Sequence, residues 1–92
     1  MEFEWDADKA ARNLKKHGIA FSDAVRVFLD IGRFEIYDGR QDYGEDRWIT
    51  IGQVYESVLY VAYTVRQEKT TRIISARRAI SHEQKQYREA NS

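Results

Sequence analysis

Phe3 and Trp5 alternate with Glu2 and Glu4, the period-2 pattern of a short strand. The spacing then lengthens. Ala7, Ala10, Ala11 and Leu14 recur at helical intervals and predict a helix from about Ala7 to Lys16 with those residues inward. Asp6 is placed to cap it, Asp8 lies in its first turn, Lys15 and Lys16 in its last, and Gly18 just beyond. These positions suit the helix dipole and a left-handed C-cap. Ser22 then opens a second predicted helix through about Leu29, carrying Ala24, Val25, Phe28 and Leu29 inward. Asp30-Ile31-Gly32 stops it.

From there the pattern is that of strands. Phe34 to Tyr37 is one, followed by a polar loop, Asp38 to Gly44. Arg47 to Val54, Ser57 to Val65 and Thr70 to Ala76 are rich in β-branched and aromatic residues and are joined by short polar links, which predicts an antiparallel meander. Ser81 and Gln84 have the spacing of a capping box, opening a last helix through about Glu89. The predicted class is α+β: an antiparallel sheet with two N-terminal helices and one C-terminal helix. Trp5 and Trp48 are expected in the core, and Tyr55, Tyr60 and Tyr63 in sheet packing rather than as stacking platforms for bases. His82 is expected at the surface.

Length and composition narrow the possibilities. Ninety-two residues without proline, repeat or low-complexity stretch suggest one domain over residues 1–92. With no cysteine, disulfides, thiolate metal sites and a Cys nucleophile are excluded, and two widely separated histidines, His17 and His82, make a zinc site unexpected. No apolar run approaches a membrane span and the first residues do not resemble a signal peptide, so a cytoplasmic location is expected.

Fifteen basic and fifteen acidic residues cancel overall, yet they are segregated. Lys9 to His17 is purely basic, Asp30 to Asp46 largely acidic, and Arg66 to Arg78 basic again. Such blocks either neutralise one another across the fold or build separate faces for an anion and for a basic partner.

No P-loop, G-x-G-x-x-G, G-x-S-x-G or H-E-x-x-H motif is present. What remains is cationic: Arg66, Arg72, Arg77 and Arg78 on or beside the last two strands, and Lys16 and His17 at the end of the first helix. Strict alternation puts Arg77 on one sheet face and Arg72 and Arg78 on the other. Metal-free cleavage of RNA needs this toolkit. The 2′-OH attacks the adjacent phosphorus, arginine forks grip phosphate oxygens, and His, Glu or Tyr moves protons. Arg66 and Arg77, at the ends of adjacent strands, are expected on the scissile phosphate. His17 is the first candidate for proton transfer. Glu83 and Tyr87, four apart on the last helix, are the others, and one cleft collects all of these if that helix face meets the strand ends.

The residues themselves resemble the BrnT family of toxins. Phe3-Glu4-Trp5-Asp6, Lys9, Asn13, Lys16-His17-Gly18-Ile19 and Phe21 match its opening, and Ala24 and Val27-Phe28 its next helix. Gly44-Glu45-Asp46-Arg47, Ile51-Gly52, Tyr63-Thr64-Val65-Arg66, Arg72 to Ala79, and Glu83 with Tyr87 follow in order. The resemblance implies a RelE-like fold and a metal-independent ribonuclease that inhibits translation, with catalytic candidates His17, Arg66, Arg77, Glu83 and Tyr87. Lys16, Arg72 and Arg78 would bind RNA, and no cofactor or metal is called for. It also implies a BrnA-type antitoxin with a ribbon-helix-helix part, a 2:2 complex, and DNA contacted only through that antitoxin. Ser81 to Gln86 is less arginine-rich than the family's usual last helix. The alternative is a non-catalytic partner of a DNA-binding antitoxin, acting in operon autoregulation.

Overall fold

The computed structural model describes residues 1–92. Its elements are β1 (Glu2–Glu4), α1 (Ala7–His17), α2 (Phe21–Ala24) running into a 3₁₀ segment (Val25–Leu29), β2 (Phe34–Tyr37), β3 (Trp48–Val54), β4 (Ser57–Arg66), β5 (Thr70–Arg78) and α3 (Ser81–Ala90). The α+β class and the antiparallel meander of β2 to β5 are as expected. β1 joins the far side of β5 in parallel, so the five-stranded sheet is mixed, in the order β1-β5-β4-β3-β2.

Two helix starts differ from the expected ones. Ala20, not Ser22, precedes α2, and no side chain caps it. Ile80 is the N-cap of α3, and Glu83 accepts the Ile80 N–H at 2.9 Å. Ser81 is therefore already helical, and Glu83 supplies the side-chain acceptor that Gln84 was expected to provide. The Asp6 cap and the left-handed Gly18 (φ 72°) lie where the pattern put them.

The sheet is packed on both faces. One face carries Leu59, Val61, Tyr63, Ile73 and Ala76 against Ile19, Phe21, Ala24 and Val27 from the N-terminal helical layer. The other carries Ile49, Ile51 and Ala62, over which Tyr87 of α3 lies. Because successive strand residues point to opposite faces, α1 and α3 lie on opposite sides of the sheet.

The inner stripe of α1 is not the expected one. Asn13 is its one buried residue, with Ala10 and His17 beside it, whereas Ala7 and Ala11 are exposed and Leu14 is half exposed. The cause is an unpaired strand edge. β1 covers β5 only from Thr70 to Arg72, leaving the later backbone of β5 without a neighbouring strand. Asn13 takes that place: its Nδ2 donates to the Ala76 carbonyl at 2.9 Å and its Oδ1 accepts the Ala76 N–H at 3.1 Å. The same Nδ2 donates to Ile19 O at 3.0 Å. The helix is rotated so that this amide faces the strand. Trp5, expected in the core, is left 37% exposed, edge-on to Phe21.

Candidate nucleic-acid interface

α1 carries Lys9, Arg12 and Lys16 three and four residues apart, hence on one side of the helix. With His17 and Ser75 they line a cleft of about 370 Å³ where α1 meets the open edge of β5. Arg78 reaches the C-terminal end of α1, its guanidinium donating to His17 O at 3.4 Å. Lys9, Arg12, Lys15, Lys16 and Arg78 form no ion pair with any carboxylate. Their charges are left to act on an approaching anion. Lys9 and Arg12 lie in the basic block of the sequence, but only the docking of α1 on β5 shows that they border the same hollow as His17.

The remaining arginines are placed by an irregularity in β5. Ala62 pairs with Ser75 but Tyr63 with Ile73, so Ile74 is an extra residue, a β-bulge. The bulge shifts the alternation by one residue. Arg72, opposite Thr64, and Arg77, opposite Tyr60, therefore share the α3 side of the sheet, while Arg78, opposite Leu59, turns to the α1 side. The expectation that Arg72 and Arg78 share a face is thus corrected. Arg66 belongs to the same face as Arg72 and Arg77.

Arg66, Arg72 and Arg77 each meet a carboxylate: Glu45 at 3.7 Å for Arg66, Glu4 for Arg72, and Glu83 for Arg77. The Arg77 pair is bidentate, at 2.8 and 2.9 Å, and its guanidinium lies 3.8 Å from the centre of the Tyr60 ring. Burial pushes the Glu83 carboxyl up, but Arg77 and the Ile80 N–H outweigh it and hold the group below the usual range. Arg66 and Arg77 do not meet. They lie at opposite ends of the β4–β5 hairpin, six residues apart along β4, about 20 Å. That span is too long for both to grip one phosphate, because the hairpin runs antiparallel and the two strand ends in question point apart.

Nor does one cleft collect His17, Glu83 and Tyr87. His17 is on the α1 side, and Glu83 and Tyr87 are on the α3 side. Tyr87 turns away from the Arg77 pair and donates to Asp30 Oδ2 at 2.6 Å. Burial and the Asp30 carboxylate push its hydroxyl up to about 12. Asp30 accepts two further bonds, from Gln53 N at 2.7 Å and Gly32 N at 2.8 Å. Burial opposes ionisation of Asp30, but these donors outweigh it and lower its pKa from the ordinary value. Nothing near Asp30 in sequence marked it as the tie between three elements.

No group of three or more His, Cys, Asp or Glu residues is arranged to hold a metal ion. No helix is long and apolar enough to cross a membrane.

Fold and surface together define a small α+β protein with a cluster of unpaired cations at a strand edge. The family model described as "Ribonuclease toxin, BrnT, of type II toxin-antitoxin system" matches residues 5–83, and the chain belongs to that family. It is the toxin member of a type II module, a class that acts with an antitoxin partner. Among solved structures, the Brucella abortus ribonuclease toxin BrnT is similar, with a TM-score of 0.68 at 25% identity, covering 88% of this chain and 99% of that one. No curated protein sequence matches the chain.

Proposed function

We propose that the chain is a metal-independent endoribonuclease that blocks translation when free and is neutralised by a BrnA-type antitoxin. The observation that carries this reading is the cluster of unpaired cations around His17 at the open edge of β5. An RNA backbone laid along that edge meets Lys9, Arg12, Lys16 and Arg78 at its phosphates. His17 is then positioned to move a proton, histidine being the side chain whose charge changes readily near neutral pH. The 2′-oxygen bonds to phosphorus as its proton passes to a base. The P–O5′ bond breaks as the leaving oxygen gains a proton. No water or metal has to be activated in that step.

On the other side of β5, Arg77 held by Glu83 supplies a second phosphate contact, and Arg72 a further one along the sheet. Arg66 contacts RNA only if the strand crosses the whole sheet face. Tyr87 serves the reaction through the placement of α3.

The test uses the purified free chain with a short single-stranded RNA in the presence of chelator. Cleavage should persist, and His17→Ala should slow it on the order of 10²-fold or more, the usual contribution of a proton-transfer group. Arg77→Lys keeps the charge but loses the fork, and should also cut slowly. RNA left intact by a folded wild-type chain would overturn the proposal and favour the non-catalytic role in operon autoregulation. An unchanged rate in His17→Ala would remove that residue from the site.

A further inference from the structure

On the α3 side of the sheet a cavity of about 240 Å³ lies between α3 and the loop after β2. Its floor is apolar, made by Ile36, Ile49 and Ile51, and Tyr60 forms one wall. Its rim is polar: His82 and Gln86, four apart and so on one side of α3, both border it. The neighbouring polar groups are already engaged. Glu83 holds Arg77 and the Ile80 N–H, Gln84 donates to Ala79 O, and Tyr87 to Asp30. On the loop side, Arg40 binds Asp38 through Nε and Nη2 at 2.8 and 2.9 Å. The side chains of His82 and Gln86 have no hydrogen-bond partner in the protein. An apolar floor with free donors and acceptors at its rim is the kind of lining that holds a small ligand by its apolar face and orients it by its polar edge.

We propose that this cavity holds one unstacked base of the RNA, an adenine in preference to the other three. The inference rests on the RNA-binding reading above and extends it from backbone to base. Two features favour a base as the occupant. Glu83 is a common wall: it borders the cavity and anchors Arg77, so a cation suited to phosphate stands next to the slot. And the Gln86 carboxamide presents a donor and an acceptor side by side, the pair that matches N6–H and N7 of adenine. Single-stranded RNA is read in this way, by bases splayed from the strand into side-chain pockets. In this arrangement the unpaired cations of α1 hold the strand without regard to sequence, and the α3 slot supplies the choice of base.

The test is a titration of the whole chain with adenosine, guanosine, cytidine and uridine 3′-monophosphates, followed by backbone amide shifts. The adenine nucleotide should move the amides of Ile49, Ile51, Tyr60 and Gln86 and bind on the order of tenfold or more tightly than the others. Gln86→Leu, at an exposed helical position, should abolish that preference, and Gln86→Glu, which loses the donor, should do the same. Equal binding of all four nucleotides, or shifts confined to α1 and Ser75, would overturn the assignment. So would cavity amides that respond to the antitoxin and to none of the nucleotides, which would make the occupant a protein side chain. These nucleotides have no scissile linkage, so the result is independent of cleavage. Adenine binding by a chain that leaves RNA intact would remove the nuclease reading and keep the slot. Cleavage without any response in the slot would do the reverse.

Discussion

Asn13 makes three hydrogen bonds through one side-chain amide, two to Ala76 and one to Ile19. Truncation to alanine would leave a buried N–H and two carbonyls without partners, each costing about 1–3 kcal/mol if water does not reach it. Asn13→Ala is therefore expected to destabilise the fold by on the order of 3 kcal/mol in denaturant unfolding. Asn13→Asp should be no better, because a carboxylate cannot donate to Ala76 O. A loss below about 1 kcal/mol in both variants would show that the edge of β5 does not depend on this amide. The role was not legible in the sequence. A single asparagine among Lys9, Arg12, Leu14 and Lys16 reads as a surface residue, since what it satisfies lies sixty-three residues away. The arginines show the same limit. Alternation correctly predicts that Arg77 and Arg78 point to opposite faces, but nothing in Ile73-Ile74-Ser75 announces the bulge that brings Arg72 onto the side of Arg77. His82 and Tyr60 read singly as a surface residue and a packing residue. Their closeness in the α3 cavity comes from tertiary structure alone.

At the scale of elements, strand and helix positions were legible wherever the apolar period was strong. The four meander strands and α1 lie within a residue or two of their expected bounds, because their β-branched runs and dipole-matched ends leave few alternatives. α3 is less strongly specified. It has no buried residue, and it is held by Tyr87 to Asp30, Asn91 to Gly32 O at 3.0 Å, and Glu83 to Arg77. Its docking is therefore predicted to be the first element lost in acid. Asp30 ionises below its ordinary 3.8 and Glu83 below its ordinary 4.5, so their contributions are complete above those values and are lost as the pH falls through the lowered ones. Hydrogen exchange should show the α3 amides losing protection below about pH 4 while the amides of β4 and β5 stay protected. Tyr87→Phe removes one bond to a carboxylate, worth about 1.5–3 kcal/mol, and should give the same local loss at neutral pH. If α3 and the sheet instead open together in both experiments, α3 is part of the global folding unit.

The whole molecule is neutral by count yet uneven in space, and that unevenness governs how a partner is met. Arginines on the α3 side of the sheet are paired with Glu4, Glu45 and Glu83, whereas the lysines and arginine of α1 and Arg78 form no ion pair. An antitoxin segment bearing carboxylates gains most by covering the second surface, where no internal ion pair has to be broken. It would hold Lys9, Arg12, Lys16 and Arg78 against its acids and so occupy the sites proposed for RNA phosphates. The competing surface is the loop after β2, where Asp38 is spent on Arg40 but Asp42 and Asp46 offer charge to a basic segment. The two modes differ in what they leave open. In the first, the complex should bind a non-cleavable RNA far more weakly than the free chain does, and association should slow steeply as salt rises. Charge reversal at Lys9 and Arg12 should weaken antitoxin and RNA together, since both use the same cations. In the second, RNA affinity survives in the complex and the reversal affects RNA alone. A complex that retains the RNA affinity of the free chain would show that the antitoxin leaves the α1 cleft uncovered, and neutralisation would then have to act through the α3 side of the sheet.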